Sequence, residues 1–139
     1  MGLLWRDQFS VGNDLIDMDH KHLIEIINKA EVNLKTNNRS EFNAMLEDLS
    51  RYSKTHFERE ELVAKAVNYP GSGQLHESHT FLVANLEQFK KDVGAEWSEE
   101  SIAKFTTFLR DWLIKHVIKE DLPMKPWMIK HSPRFDPRY

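Results

Sequence analysis

The sequence predicts an all-α protein, an up-down-up-down antiparallel four-helix bundle with an N-terminal arm and an irregular C-terminal tail. Three observations predict it. Four stretches of roughly 20 residues repeat apolar side chains at helical spacing. Turn formers are scarce, with 5 Gly and 5 Pro in 139 residues. No stretch of useful length alternates apolar and polar residues as a strand does. Helices of this length joined by short connections bury their apolar stripes most simply as a bundle. The length suits one domain spanning 1–139.

The elements follow in order. Residues 1–16 read as an ordered arm, with Trp5, Phe9 and Val11 among polar residues and a turn at Gly12-Asn13. The first helix is expected over about 17–35, with Asp17 as its N-cap and Leu23, Ile26, Ile27, Ala30 and Leu34 as its stripe. Ser40 can cap a second helix over about 40–67, whose stripe runs Phe42, Met45, Leu46, Leu49, Tyr52, Ser53, His56, Glu60, Val63. Tyr69-Pro70-Gly71-Ser72-Gly73 then breaks the chain. A third helix, about 74–93, carries Leu82, Val83, Leu86 and Phe89 and ends at Gly94. Ser98 caps the fourth, about 98–121, with Ile102, Phe105, Phe108, Leu109, Trp112, Leu113 and His116. Pro123 ends it, because proline lacks the N–H donor and clashes with the preceding turn. The tail, 123–139, holds four prolines.

Composition excludes several functions. Nineteen Lys+Arg against 22 Asp+Glu leave a net charge of -3, which does not suit a nucleic-acid binder. The absence of cysteine excludes disulfides, thiolate-held clusters, a Cys-type zinc site and a catalytic thiol. No apolar run approaches the roughly 18 residues of a membrane span, and the N-terminus lacks a signal-peptide core. A cytoplasmic monomer is expected.

Seven histidines are many for this length. In an antiparallel bundle the start of the first helix, the end of the second, the start of the third and the end of the fourth share one level. His20, His56, His76, His79 and His116 lie there. His56 and Glu60 are four residues apart, about 40° round a helix, so both can face inward. Core histidine is favourable only if its ring nitrogens find partners, and a metal ion would satisfy all of these together. Asp121 lies five residues after His116, about 140° away on a regular helix. A distorted or π-type turn before Pro123 would bring it inward. Imidazole and carboxylate without thiolate suit iron, manganese or zinc. Two carboxylates able to bridge suggest two ions. His22, His131, Glu58, Glu61 and Glu77 read as solvated.

Three segments resemble the hemerythrin family. They are the opening Trp5 … Phe9-Ser10-Val11-Gly12 … Ile16-Asp17-Met18-Asp19-His20, an HxxxE segment at His56–Glu60 followed by Tyr69-Pro70, and an HxxxxD segment at His116–Asp121. The bacterial hemerythrins are the nearest in pattern. The resemblance implies a four-helix bundle holding two irons joined by a hydroxide or oxide bridge. It implies His20 and His56 on one iron, His116 on the other, and Glu60 and Asp121 bridging. The family's third helix carries HxxxH, with both histidines on the second iron. Here Leu75 falls on the first of those positions and His79 on the second, while His76 stands one residue late. Three residues apart is still one helix face, at about 60° of offset. His76 is therefore expected to bind, with the helix rotated or locally rewound; if it misses, that iron is one ligand short. With three histidines on one iron, the iron of His20 and His56 keeps the open position. The expected function is reversible O2 binding as a carrier, store or sensor, not catalysis. The alternatives are a di-iron redox enzyme with peroxidase or nitric-oxide-handling activity, and a bundle holding a structural metal. Leu23, Ile24, Trp112 and Leu113 are expected to keep water from the site.

Overall fold

Asn13, not Asp17, starts the first helix. In this computed structural model, which describes residues 2–94 and 97–138, the Asn13 side chain accepts the Ile16 N–H at 3.2 Å, and α1 runs Asp14–Lys35. Both residue types cap well. Asp17 has other work: it accepts the Ser10 hydroxyl at 2.5 Å and the Val11 N–H at 3.0 Å, which ties the arm to the helix. The arm itself contains one 3-10 turn, Asp7–Phe9. Residues 1, 95, 96 and 139, in the expected domain ends and the third connection, lie outside the described residues.

Helix α2, Arg39–Ala66, is likewise capped earlier than expected, by two residues. Asn38 accepts the Glu41 N–H at 3.2 Å, and Ser40 sits inside the first turn. Helix α3 is Ser72–Asp92. Gly94 follows it with φ +64°, the left-handed conformation that glycine adopts without strain. Ser98 caps α4, Glu99–Asp111, by accepting the Ser101 N–H at 3.1 Å.

The chain does not stop at Asp111. It widens into a π-helical segment, Trp112–Ile118, then one α-helical turn, Lys119–Asp121. The tail is more regular than expected. Pro123 sits in a 3-10 turn, Leu122–Met124, and a short helix follows, Lys125–Met128. Met124 and Met128 are buried, so the tail closes one end of the bundle. Pro133 O accepts the Asp14 N–H at 2.7 Å, and Phe135 O accepts from the Asn13 amide at 3.0 Å. No strand occurs among the described residues, and none of their helices is long and apolar enough to cross a membrane.

Helix α1 packs on α2 and α4, and α2 packs on α3; the π segment touches α1 and α3. Two apolar clusters fill the interior. The larger contains Leu23, Ile27, Leu49, Phe57, Leu82 and Leu113, and the smaller contains Ile16, Val63, Ala64, Leu75 and Met124. Fully burying each such Leu, Ile or Phe stabilises the fold by about 1.5–3 kcal/mol. Between the clusters lies a polar layer. Along α1 the order is Ile16, His20, Leu23; along α3 it is Leu75, His79, Leu82. The level predicted for the histidines is thus the seam between two dry cores.

Candidate metal centre

Helix phase brings His20, His56 and Glu60 into this layer, and the π segment brings Asp121. All four are at most 1% exposed. One donor atom from each lies within 4.8 Å of the others. His20 Nε2 is 3.1 Å from His56 Nε2 and 2.8 Å from Asp121 Oδ2. His56 Nε2 is 2.8 Å from Glu60 Oε2. Around one ion that bonds nitrogen and oxygen at about 2.1 Å, neighbouring donors sit roughly 3 Å apart. The three shortest of these separations match that spacing, and the whole set, gathered within 4.8 Å, has the donor types of a transition-metal site. Its hydrogen bonding agrees: Glu60 Oε2 and Asp121 Oδ2 are buried and each has an imidazole nitrogen at 2.8 Å, yet neither accepts a hydrogen bond. Such orphaned carboxylate oxygens are costly unless a cation serves them.

His79 adjoins the group from α3. Its Nε2 lies 3.0 Å from Glu60 Oε1, and the ring stacks on Phe57 at 4.1 Å. The structure does not bring in the other two predicted histidines. The His76 and His116 side chains are 67% and 51% exposed, against 5% for His79. Adjacent residues on an α-helix differ by about 100° in direction. With Leu75 buried against Val63, Ala64 and Met124, His76 therefore turns outward. The π turns that deliver Asp121 to the interior leave His116 on the outer side, 3.9 Å from Glu120. The sequence places both among the ligands; the structure leaves both at the surface.

Two carboxylates that sequence reasoning missed hold two of the inner histidines, His56 and His79, in place. Asp19 accepts from Tyr52 Oη at 2.7 Å and from Arg59 at 2.9 and 2.8 Å, and it faces His56 Nδ1 at 2.9 Å. A carboxylate only accepts, so the Nδ1 proton is held there and Nε2 is aimed at the centre. Glu61 does the same for α3, with Oε2 2.9 Å from His79 Nδ1 and Oε1 2.5 Å from His76 Nδ1. The sequence alone places it on a solvated face. The available signal was weak: Asp19 precedes a core histidine, and Glu61 follows an inward Glu60.

The charges of the metal-free centre are strongly coupled. Burial depresses His20, and the positive His56 ring depresses it further. Burial would also depress His56, but the charge of Glu60 and the bond to Asp19 overcome it and raise His56 to about 9. Burial and the adjacent Glu60 charge push Asp121 well above the carboxylate range. Burial works upward on Glu60 as well, yet the His56 charge draws it well below that range.

A pH dependence follows. A group raised in the fold stabilises it below the unfolded pKa, and that stabilisation is lost as pH rises through the folded one. For His56 the window runs from the ordinary 6.5 to about 9, and the loss is at most about 3 kcal/mol. Asp121 has the same sign. The metal-free protein is expected to melt at lower temperature as pH rises from 6.5 to 9. A bound divalent cation replaces these protons and should flatten the curve. Melting curves with and without metal check this, and a pH-independent metal-free protein would contradict it.

Residues 11–128 match the family model described as Hemerythrin HHE cation binding domain. The chain is 30% identical over 115 residues to a bacteriohemerythrin of Methylococcus capsulatus, covering 82% of this chain and 86% of that protein. It is 24% identical over 133 residues to one from Stenotrophomonas maltophilia, covering 96% and 86%. A crystal structure of wild-type hemerythrin superimposes with a TM-score of 0.77 at 27% identity, covering 91% of this chain and 97% of that one.

Proposed function

The chain belongs to the hemerythrin family, and from that premise we propose that it is a non-haem di-iron protein that binds O2 reversibly, as a carrier, store or sensor. The observation that supports this most directly is the buried meeting of two imidazoles with two carboxylates, each carboxylate holding an oxygen that accepts no hydrogen bond. His20, His56, Glu60 and Asp121 would hold one ion. The second would lie toward His79, sharing Glu60, and a hydroxide or oxide would bridge the pair. Ferrous iron supplies electrons that O2 draws on when it binds and returns when it leaves.

The protein's own residues do the rest. Two carboxylates neutralise part of the metal charge, and the imidazoles add none. That balance supports reversible binding over deeper oxidation. Leu23, Ile24, Trp112 and Leu113, all at most 4% exposed, line the adjoining core, and Phe57 covers His79. These walls would keep water and protons away from the centre. The Trp112 indole is itself satisfied, donating to Leu82 O at 3.0 Å. It therefore adds bulk beside the centre without an unpaired donor.

Exposing the anaerobically iron-loaded, reduced protein to air tests the reading. A charge-transfer band that appears with O2 and disappears when O2 is removed is the expected result. Irreversible oxidation with turnover of added peroxide would favour a redox enzyme. A colourless protein that unfolds on chelation would favour a structural metal.

A further inference from the structure

The two halves of the centre are not built alike. On one side of Glu60 stand two ring nitrogens, His20 Nε2 and His56 Nε2, with Asp121 Oδ2 completing the set. On the other side stands one, His79 Nε2 at 3.0 Å from Glu60 Oε1. Residues three or four apart share a helix face; of the α3 positions so related to His79, Leu82 and Val83 pack in the larger apolar cluster and His76 is exposed, which leaves 75 as the position able to present a second donor. Leucine occupies it, 5% exposed within the smaller apolar cluster. His76 is turned out of the layer and held by Glu61, and His116 is exposed.

We propose that the two metal positions are grossly unequal. One, made by His20, His56, Glu60 and Asp121, binds an ion tightly. The other, with His79 as its single histidine, binds weakly, and Leu75 is the residue that makes it weak. This rests on the di-iron reading above. Losing a group that merely orients a ligand already costs about 10–100-fold in metal affinity. A position short of whole imidazoles should therefore trail its neighbour by more than roughly 100-fold.

Anaerobic titration of the metal-free chain with Fe(II), read by calorimetry and by iron retained after desalting, tests this without reference to O2. Two separated steps are expected, with one ion per chain retained. Leu75→His places an imidazole one turn before His79 and should raise retention toward two. His76→Ala and His116→Ala should leave both steps unchanged. They keep the test decisive if Leu75→His fails to fold, because both side chains are exposed. Two ions taken up in one step of equal affinity would overturn the proposal. So would loss of the second step in His76→Ala or His116→Ala, which would make that histidine a ligand. If no ion binds at all, the di-iron reading falls with it.

Discussion

Glu60→Gln is expected to abolish iron retention. Glu60 is fully buried, and among the described residues it alone faces three of the inner histidines. Its Oε1 lies 3.0 Å from His79, and its Oε2 lies 2.8 Å from His56 and 3.7 Å from His20. Glutamine preserves the shape but replaces a shared anion with a neutral amide. Asp121 is then the single carboxylate left at the centre. Affinity at the better position should fall by more than roughly 100-fold, beyond what loss of an orienting group costs. The O2-dependent band should disappear with it. Thermal stability supplies an independent measure. A ligand held at 1,000 times its dissociation constant stabilises the fold by about 4 kcal/mol. Iron should therefore raise the melting temperature of the native chain and leave the variant unchanged. The metal-free variant should remain folded but gain no stability, because burial still keeps Asp121 neutral once the Glu60 charge is gone, while His56 loses the partner that held its charge. Equal iron retention by variant and native chain would place the centre elsewhere.

Asp19→Asn should damage stability and metal binding together. Asp19 is 5% exposed, and burial works against its charge. Hydrogen bonds from His56, Arg59 and Tyr52 outweigh that and hold it well below the usual carboxylate range. Breaking one member of a buried ion pair typically costs 3–5 kcal/mol. Arg59 keeps some access to water, with 22% of its side chain exposed, so the lower end, about 3 kcal/mol, is expected. Asparagine can also present its amide to His56, which loosens the tautomer that aims Nε2 inward. Iron affinity should fall by about 10–100-fold. Tyr52→Phe removes one hydrogen bond to Asp19 and should cost only about 1 kcal/mol. Asp19→Glu should recover part of both losses. Denaturant midpoints and iron titrations on the three variants separate the effects. If Asp19→Asn is less stable but binds iron with native affinity, Asp19 acts on the fold alone and does not position His56.

The bundle was legible because its cause is local. An apolar side chain every three to four residues dictates a helix with one dry face, and few Gly and Pro leave little room for anything else. Cap residues are local too, but competition between near neighbours blurred them. Asn13 displaced Asp17, and Asn38 displaced Ser40, each a residue of equal capping strength a few positions away. His20, His56, Glu60 and His79 could be placed on inward faces because regular helices carry a fixed phase from the apolar stripe to the polar residue.

Where the helix is irregular, that phase is lost. A π segment changes the rotation per residue, so the sequence carries Asp121 and His116 on one motif while the structure buries the first and exposes the second. The same limit hides Asp19, Arg59 and Glu61. Their partners lie on neighbouring helices, 37 residues away for Asp19 and His56 and 18 for Glu61 and His79, and no periodicity links such pairs. The amino-acid order thus determined which faces of the four helices meet and that imidazoles and carboxylates stand among them. Only tertiary packing decided which of those groups enter the seam between the two apolar clusters, because the burial of Leu75 turns His76 outward and the π turns that bury Asp121 leave His116 exposed.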